Sequence, residues 1–336
     1  MTRTVLVTDG AGYVGSHTCK ALARAGWLPV VYDNLCRGHR SAVRWGPFEQ
    51  GDLHDRVRLE EVMKLHRPEA VLHFAAYAYV GESIKRPGFY WHNNVGGTAS
   101  LLEAMRACAI GTIIFSSSCA TYGLAAEPIR ETTPQNPINP YGASKLAVEH
   151  ILAEHAETYG LRWAALRYFN AAGADADGEI GEAHAPETHL IPLALQAALG
   201  HRPGVSVLGD DYPTPDGSCV RDYVHVSDLA DAHVLALRFV QNGGASQAFN
   251  LSNGNGFSVH QVLEAVRRVS GRTFPITVSP RRPGDPPQLV GCADKAQTTL
   301  GWQPRHPNLD QIIDTAWRWE CGGKQQVLPL GAWDEQ

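Results

Sequence analysis

The sequence predicts an α/β protein: a Rossmann-type doubly wound parallel sheet with a smaller C-terminal α/β domain. Three observations predict it. A short apolar run, Thr4–Thr8, leads straight into Asp9-Gly-Ala-Gly-Tyr-Val-Gly15 and a helical pattern carrying Cys19, Leu22 and Ala23. Strand, glycine turn and helix in that order open a dinucleotide-binding unit. Strand-length apolar segments then alternate with helical ones to about residue 170, as a parallel sheet with crossover helices requires. Beyond that point the chain turns to Gly- and Pro-rich polar loops, which mark a second unit.

In the first unit, Gly10, Gly12 and Gly15 let the backbone turn tightly, approach a pyrophosphate and pack the helix on the sheet. The second strand, Leu28–Tyr32, ends in Asp33, 18 residues after Gly15. A carboxylate there binds the adenosine ribose hydroxyls and repels a 2′-phosphate, so NAD is expected rather than NADP. Further strands are expected at Ala70–Phe74, Ile113–Ser117 and Trp163–Tyr168, with helices at Asn94–Ala107 and Tyr141–Tyr159. Helices at Leu190–Leu199 and Val259–Ser270 belong to the second unit, while the helix Asp228–Phe239 and the strand Ala248–Leu251 return to the first sheet. The expected division is residues 1–170 with returning segments at about 219–252, against 171–218 and 253–325; the last dozen residues read as a tail.

Composition excludes several classes. With 336 residues and 44% apolar content the chain can bury a large core. A net charge of -5 without basic blocks argues against nucleic acid or an anionic membrane as partner. No segment reads as membrane-spanning, and the first strand starts too near Met1 for a signal peptide. Seven scattered cysteines without Cys-x-x-Cys suit a reduced, cytoplasmic protein. None of the 15 histidines falls in His-Glu-x-x-His or a Cys/His cluster, so no metal is expected.

The chemistry centres on Asn139-Pro-Tyr-Gly-Ala-Ser-Lys145. Tyr141 and Lys145, four apart on a helix, share a face, and a nearby lysine cation favours the phenolate, making an acid/base pair that works near neutrality. Ligands of doubly wound sheets gather at the strands' carboxyl ends, where Asp33, Asp52, Ala75 to Ala78, Ser116 to Ser118, Phe169 and Asn170 fall. A serine beside Tyr141 orients a substrate hydroxyl. In the second unit, Arg221 and the Arg281-Arg282 loop suit a diphosphate.

With glycine turn, Asp33, triple serine and Tyr-x-x-x-Lys in this order, the chain resembles the extended short-chain dehydrogenase/reductase superfamily, and within it the 4-epimerases of UDP-sugars. The resemblance covers nearly the whole chain, through Gly12-Tyr-Val-Gly-Ser-His17, Asp33-Asn-Leu35, Gly51-Asp-Leu53, Val80-Gly-Glu-Ser83, Asn93-Asn-Val95, Phe115-Ser-Ser-Ser118, Leu166-Arg-Tyr-Phe-Asn170, Gly209-Asp-Asp-Tyr-Pro-Thr214, Val220-Arg-Asp-Tyr223 and Arg281-Arg-x-Gly-Asp285. It implies catalysis by Ser118, Tyr141 and Lys145. It implies NAD contacts from the glycine turn with Tyr13 and Val14, from Asp33, Asn34, Leu35, Cys36, Arg37 and Gly38, and from Asp52 and Leu53. Phe74, Ala75, Ala76, Tyr77, Ala78, Asn93, Ser116, Tyr168 and Phe169 complete that set. The sugar nucleotide would meet Asn170, His189, Leu190, the strand Val205, Ser206, Val207, then Arg221, Arg282 and Asp285, with Leu289 walling the sugar pocket. A homodimer built on the Asn94–Ala107 and Tyr141–Tyr159 helices is implied too.

Three positions depart from the family pattern: Asp9 replaces the first turn glycine, Ala78 a lysine and His189 an asparagine. The last two are similar to a branch that includes pentose epimerases, so a UDP-arabinose/UDP-xylose pair stands as alternative to UDP-glucose/UDP-galactose. The Asp9 side chain is expected to turn away from the cofactor. A nucleotide-sugar 4,6-dehydratase would need a pair of carboxylic acids after Ser118, where Cys119-Ala120 stand. A non-catalytic NAD sensor on this fold would usually lack the tyrosine or the lysine.

Overall fold

The computed structural model describes residues 3–125 and 128–323; the expected tail lies outside the described residues. Strands follow in chain order as β1 (Arg3–Thr8), β2 (Trp27–Asp33), β3 (Phe48–Gln50), β4 (Ala70–His73), β5 (Thr112–Ser118), β6 (Arg162–Tyr168) and β7 (Asn170–Ala172). Then come β8 (Val205–Leu208), β9 (Val220–His225), β10 (Gln247–Leu251), β11 (Gly256–Ser258), β12 (Ile276–Ser279) and β13 (Gln288–Leu289).

Seven strands form one parallel sheet in the order β10-β6-β5-β4-β1-β2-β3. Helices cover both faces, so successive side chains of a central strand enter two different cores. Val5 and Val7 pack with Cys19 and Leu22 of the helix Tyr13–Arg24 and with Leu229 and Leu237 of the helix Val226–Gln241. Leu6 packs on the other side, with Leu59, Leu101 and Leu152 from the helices Arg56–His66, Gly97–Ala107 and Pro140–Tyr159. Strand order reverses between β1 and β4, which opens the ligand crevice at their carboxyl ends.

The remaining strands build two small sheets, β11-β9-β13 with β7 beside β9, and β12-β8. A separate core holds them, from Ile191 and Leu195 through Val262 and Val266 to Ile312 and Ile313. Residues 226–251 return to the large sheet as expected, β10 pairing with β6. Val220–His225, expected to return with them, pairs instead with β7, β11 and β13. One π-helical turn, Trp91–Gly96, precedes Gly97–Ala107, so the helical run starts earlier than the pattern suggests and carries Asn93 and Asn94 in its wide turn.

A buried ion pair fixes the helix Pro140–Tyr159 to the sheet. Glu149 accepts from Arg167 of β6 (Nε–Oε1 2.9 Å) and from the Ser117 hydroxyl of β5, and Arg167 also donates to Tyr122 Oη at 2.8 Å. Only 5% of the Glu149 side chain and 8% of the Arg167 side chain are exposed. Removing one partner strands a buried charge, so Glu149→Ala should lower unfolding free energy by ~3–5 kcal/mol, read by urea denaturation; a loss below ~1 kcal/mol would mean that the pair is not what holds this helix.

Candidate active site

The dinucleotide loop is held from within. Asp33 at the end of β2 accepts the Ala11 N–H (3.0 Å) and the Leu35 N–H (2.7 Å), so its carboxylate braces the glycine turn. Asn34 donates to Asp52 at 2.7 Å, which also accepts the His54 N–H. The Gly38 backbone lies against Ala11, and a Cβ there would stand 2.9 Å from the Ala11 carbonyl carbon. Arg37 pairs with Glu82 at 3.4 Å and lies over the rings of Tyr77 and Tyr79. Leu53 and Phe74 are buried in the two faces' cores.

The catalytic candidates meet because two segments touch. Asn139 caps the helix Pro140–Tyr159 by accepting the Gly142 N–H (2.9 Å), and Pro140 fits the first turn. A Cβ on Gly142 would lie 2.3 Å from the Ala120 carbonyl oxygen, so glycine lets the helix start press on the turn that follows β5. This brings Tyr141 beside Ser118, whose hydroxyl acts on the phenol's ionisation and accepts the Ala120 N–H at 3.1 Å. Lys145 is 3% exposed and donates to the Ser116 carbonyl oxygen at 2.7 Å, with Nζ 6.0 Å from the Tyr141 ring centre. Ser116 and Tyr168 share a short hydrogen bond.

The electrostatics correct one expectation. Burial pushes the Tyr141 phenol up to about 12 although its Ser118 hydrogen bond opposes this, and burial pulls Lys145 down to about 7 against the charges of Asp9 and Glu149. The Lys145 ammonium is bound to the Ser116 carbonyl, and it is burial, not Lys145, that dominates the Tyr141 phenol here. Sequence reasoning also missed the supports. Thr8, His73 and Thr98 form a buried chain (2.8 Å and 2.8 Å) whose Thr8 hydroxyl accepts from Phe74 N–H and Ala75 N–H. Asn94 accepts the Tyr77 N–H and donates to Ser144. Asn93, already expected as an NAD contact, donates to Asn94. Polar residues at strand ends and in the π turn are the only signal for them.

The sugar-nucleotide candidates distribute unevenly. Leu289 is buried with Phe169, Tyr122 and Cys119 and sits opposite Arg221 in the β13–β9 register. Arg221 donates to its own strand at the Val220 carbonyl, and Asn170 opens β7 opposite Tyr223. Arg282 and Asp285 form a two-bonded ion pair at 3.0 and 2.9 Å. Gly284 brings that loop against Ile84, within 3.2 Å of a Cβ placed there. Leu190 starts the helix Leu190–Ala198. The side chains of Val205 and Val207 face the core, so only Ser206 points outward, bonded to Thr277 and Ser279; a ligand can meet the two valines only through the backbone. His189 lies between Glu182 (2.7 Å) and Glu187 (3.1 Å), whose charges outweigh its desolvation and raise its pKa to about 10.

The profile of the NAD dependent epimerase/dehydratase family matches residues 5–252. The chain belongs to this family. A UDP-glucose 4-epimerase of Rhizobium leguminosarum bv. trifolii is 54% identical over 323 residues, 96% of this chain and 98% of that protein. The crystal structure of UDP-glucose 4-epimerase from Brucella ovis in complex with NAD superposes with a TM-score of 0.91 at 54% identity, over 94% of this chain and 97% of that one. The UDP-glucose-4-epimerase of Stenotrophomonas maltophila, solved with NAD and formylated UDP-arabinopyranose, has a TM-score of 0.92 at 41% identity over 96% and 99%.

For an NAD dependent epimerase the glycine cradle and Asp33 fit the dinucleotide, but Asp9 narrows the cradle. Its φ of 56° keeps the glycine conformation. Its carboxylate does not turn aside as expected: a Cβ on Gly12 would lie 2.5 Å from Asp9 Oδ2, so the carboxylate stands in the space above Gly12. Burial and the neighbouring Asp33 charge raise its pKa well above 3.8, with Lys145 opposing. Ionised Asp9 repels a pyrophosphate; protonated Asp9 does not. Asp9→Gly should tighten NAD about tenfold, and wild-type affinity should fall as pH rises through the elevated Asp9 pKa. Calorimetric titrations of NAD at several pH values check this: the difference between wild type and Asp9→Gly isolates Asp9, and parallel curves of equal affinity would acquit it.

Proposed function

We propose that this chain is an NAD-dependent 4-epimerase that interconverts UDP-glucose and UDP-galactose through a 4-keto intermediate. The observation that carries this is the meeting of Tyr141 and Ser118 at the carboxyl end of β5, beside Lys145 and the glycine cradle. Tyr141 removes the proton of the sugar 4-hydroxyl and later returns it, with Ser118 donating to the same oxygen. NAD, held by the glycine turn and Asp33, would supply a hydride acceptor and donor for the sugar C4 and a positive charge beside the phenolate. Lys145 then serves the nicotinamide ribose as hydrogen-bond donor.

Residues on and beside the smaller sheets hold the UDP end: Arg282 of the β12–β13 loop, aligned by Asp285, and Arg221 of β9 supply cations for the diphosphate. No acid follows Ser118, which disfavours elimination. A UDP-pentose reading draws support from Ala78 and His189, and from the UDP-arabinopyranose derivative bound by the Stenotrophomonas relative. We infer a cytoplasmic homodimer formed through the outer faces of Gly97–Ala107 and Pro140–Tyr159. No helix among the described residues is long and apolar enough to cross a membrane.

Conversion of UDP-galactose to UDP-glucose by purified protein without added NAD tests the reading directly. Tyr141→Phe should fold and bind NAD normally while turnover drops by ~100-fold or more, with Ser118→Ala less impaired; near-normal turnover of the phenylalanine variant would defeat the mechanism. Leu289 leaves less room than a small residue, so kcat/KM for UDP-N-acetylglucosamine should fall well below that for UDP-glucose. Comparable values would place the pocket wall elsewhere.

A further inference from the structure

The segment between β7 and the helix Leu190–Ala198 contains Glu182-Ala-His-Ala-Pro-Glu-Thr-His189. The geometry points to a binding site for one divalent metal ion of the zinc class, ligated by Glu182, His184, Glu187 and His189. One ligand atom from each of the four lies within 4.8 Å of all the others. His184 Nδ1 is 3.0 Å and His189 Nδ1 2.7 Å from the same oxygen, Glu182 Oε1, and His189 Nδ1 is 3.1 Å from Glu187 Oε1. Ligands bound tetrahedrally at ~2.0–2.1 Å stand ~3.3–3.4 Å apart. Small side-chain shifts therefore convert this cluster into a coordination shell.

A second observation points to a cation. The Glu187 side chain is 3% exposed, and its Oε2 is buried with no hydrogen-bond partner, 3.9 Å from His184 Nδ1. A buried carboxylate oxygen left unpaired is costly unless a cation or donor meets it. Among the described residues no lysine or arginine pairs with Glu182 or Glu187, and the groups that face them are the His184 and His189 imidazoles, whose protons a metal ion would displace. The neighbouring acidic group makes the contrast: Asp175, Asp177 and Glu179 surround Lys20 Nζ at 2.7, 2.7 and 2.6 Å, so the chain supplies its own cation there. Two imidazole nitrogens with two carboxylates suit zinc, cobalt or nickel rather than magnesium or calcium, which take oxygen shells.

The ion would close the loop on itself. That loop already touches the cofactor side, with His39 Nε2 2.6 Å from the Ala183 carbonyl oxygen and Tyr79 Oη donating to Pro186 at 3.2 Å. The short E-x-H-x-x-E-x-H run matches no helical or Cys/His metal motif, which is why the sequence led to the expectation of none. The site does not rest on the epimerase reading, because its readout is metal.

Full-length protein stripped with a chelator is titrated calorimetrically with Zn2+ at neutral pH, alongside Glu187→Gln and His184→Gln. One equivalent should bind with micromolar or tighter affinity and raise Tm, and each variant should bind at least about tenfold more weakly. Failure of wild type to bind stoichiometrically, or unchanged binding in both variants, overturns the site. Should a variant not fold, Co2+ loading of wild type decides. Intense visible bands of four-coordinate cobalt with nitrogen and oxygen ligands support the site, and the pale spectrum of octahedral cobalt refutes it.

Discussion

The structure depends on how the helix Pro140–Tyr159 is clamped to β5 and β6. Glu149 receives hydrogen bonds from Ser117 and Arg167, and Arg167 passes the network through Tyr122 to Asn250 of β10. These bonds are buried, where ε is low and their geometry is strictly enforced. They fix the helix in rotation and register two turns beyond Tyr141. The contact of Gly142 with Ala120 then sets the distance between Tyr141 and Ser118. Chemistry at the site is thus a consequence of an ion pair that touches no ligand.

Desolvation outweighs the charges at this site. Tyr141 and Asp9 are raised and Lys145 is lowered, each with burial as the largest cause. The two strongest cases act on stability in opposite pH directions. Lys145, whose folded pKa is about 7 against 10.5, destabilises the fold increasingly as pH falls from its unfolded value toward 7. Asp9, raised above 3.8, destabilises it increasingly as pH rises from 3.8 toward the folded value. On the proposed reading a dinucleotide would bring hydroxyl acceptors to Lys145 but an anion to Asp9, so its binding would relieve one group and burden the other.

What was legible in the sequence was whatever depends on local pattern. The glycine turn, the alternation of β1 to β6 with helices, the Asn139-Pro140 helix start and the return of Val226–Leu251 follow from capping, period and sterics that a few adjacent residues determine. Long-range choices were not. Val220–His225 joins the small sheet because β7 and β11 are its neighbours, which no local period encodes. Four-residue spacing put Lys145 on the Tyr141 face, yet a long flexible side chain found the Ser116 carbonyl instead. The Asp9 rotamer depends on Gly12 and Lys145, and the Glu182 to His189 cluster on a loop conformation, so neither orientation is written in composition.

On the proposed reading, the sugar must turn over between two hydride transfers while the nucleotide stays in place. The two halves of the pocket differ in the way this demands. Arg282 is held by a two-bonded pair with Asp285 and Arg221 lies along β9, giving directional, charge-assisted anchors for the diphosphate. Beyond them the wall is Leu289 and Phe169, packed with Tyr122 and Cys119. Apolar contacts are non-directional and scale with area rather than orientation, so they distinguish poorly between two faces of one sugar ring. An additional fixed donor on that wall would stabilise one rotamer of the keto sugar over the other and slow the return step. On this reading the apolar wall is part of the catalytic arrangement, because it would restrain the sugar by volume and add no oriented polar partner of its own to Tyr141 and Ser118.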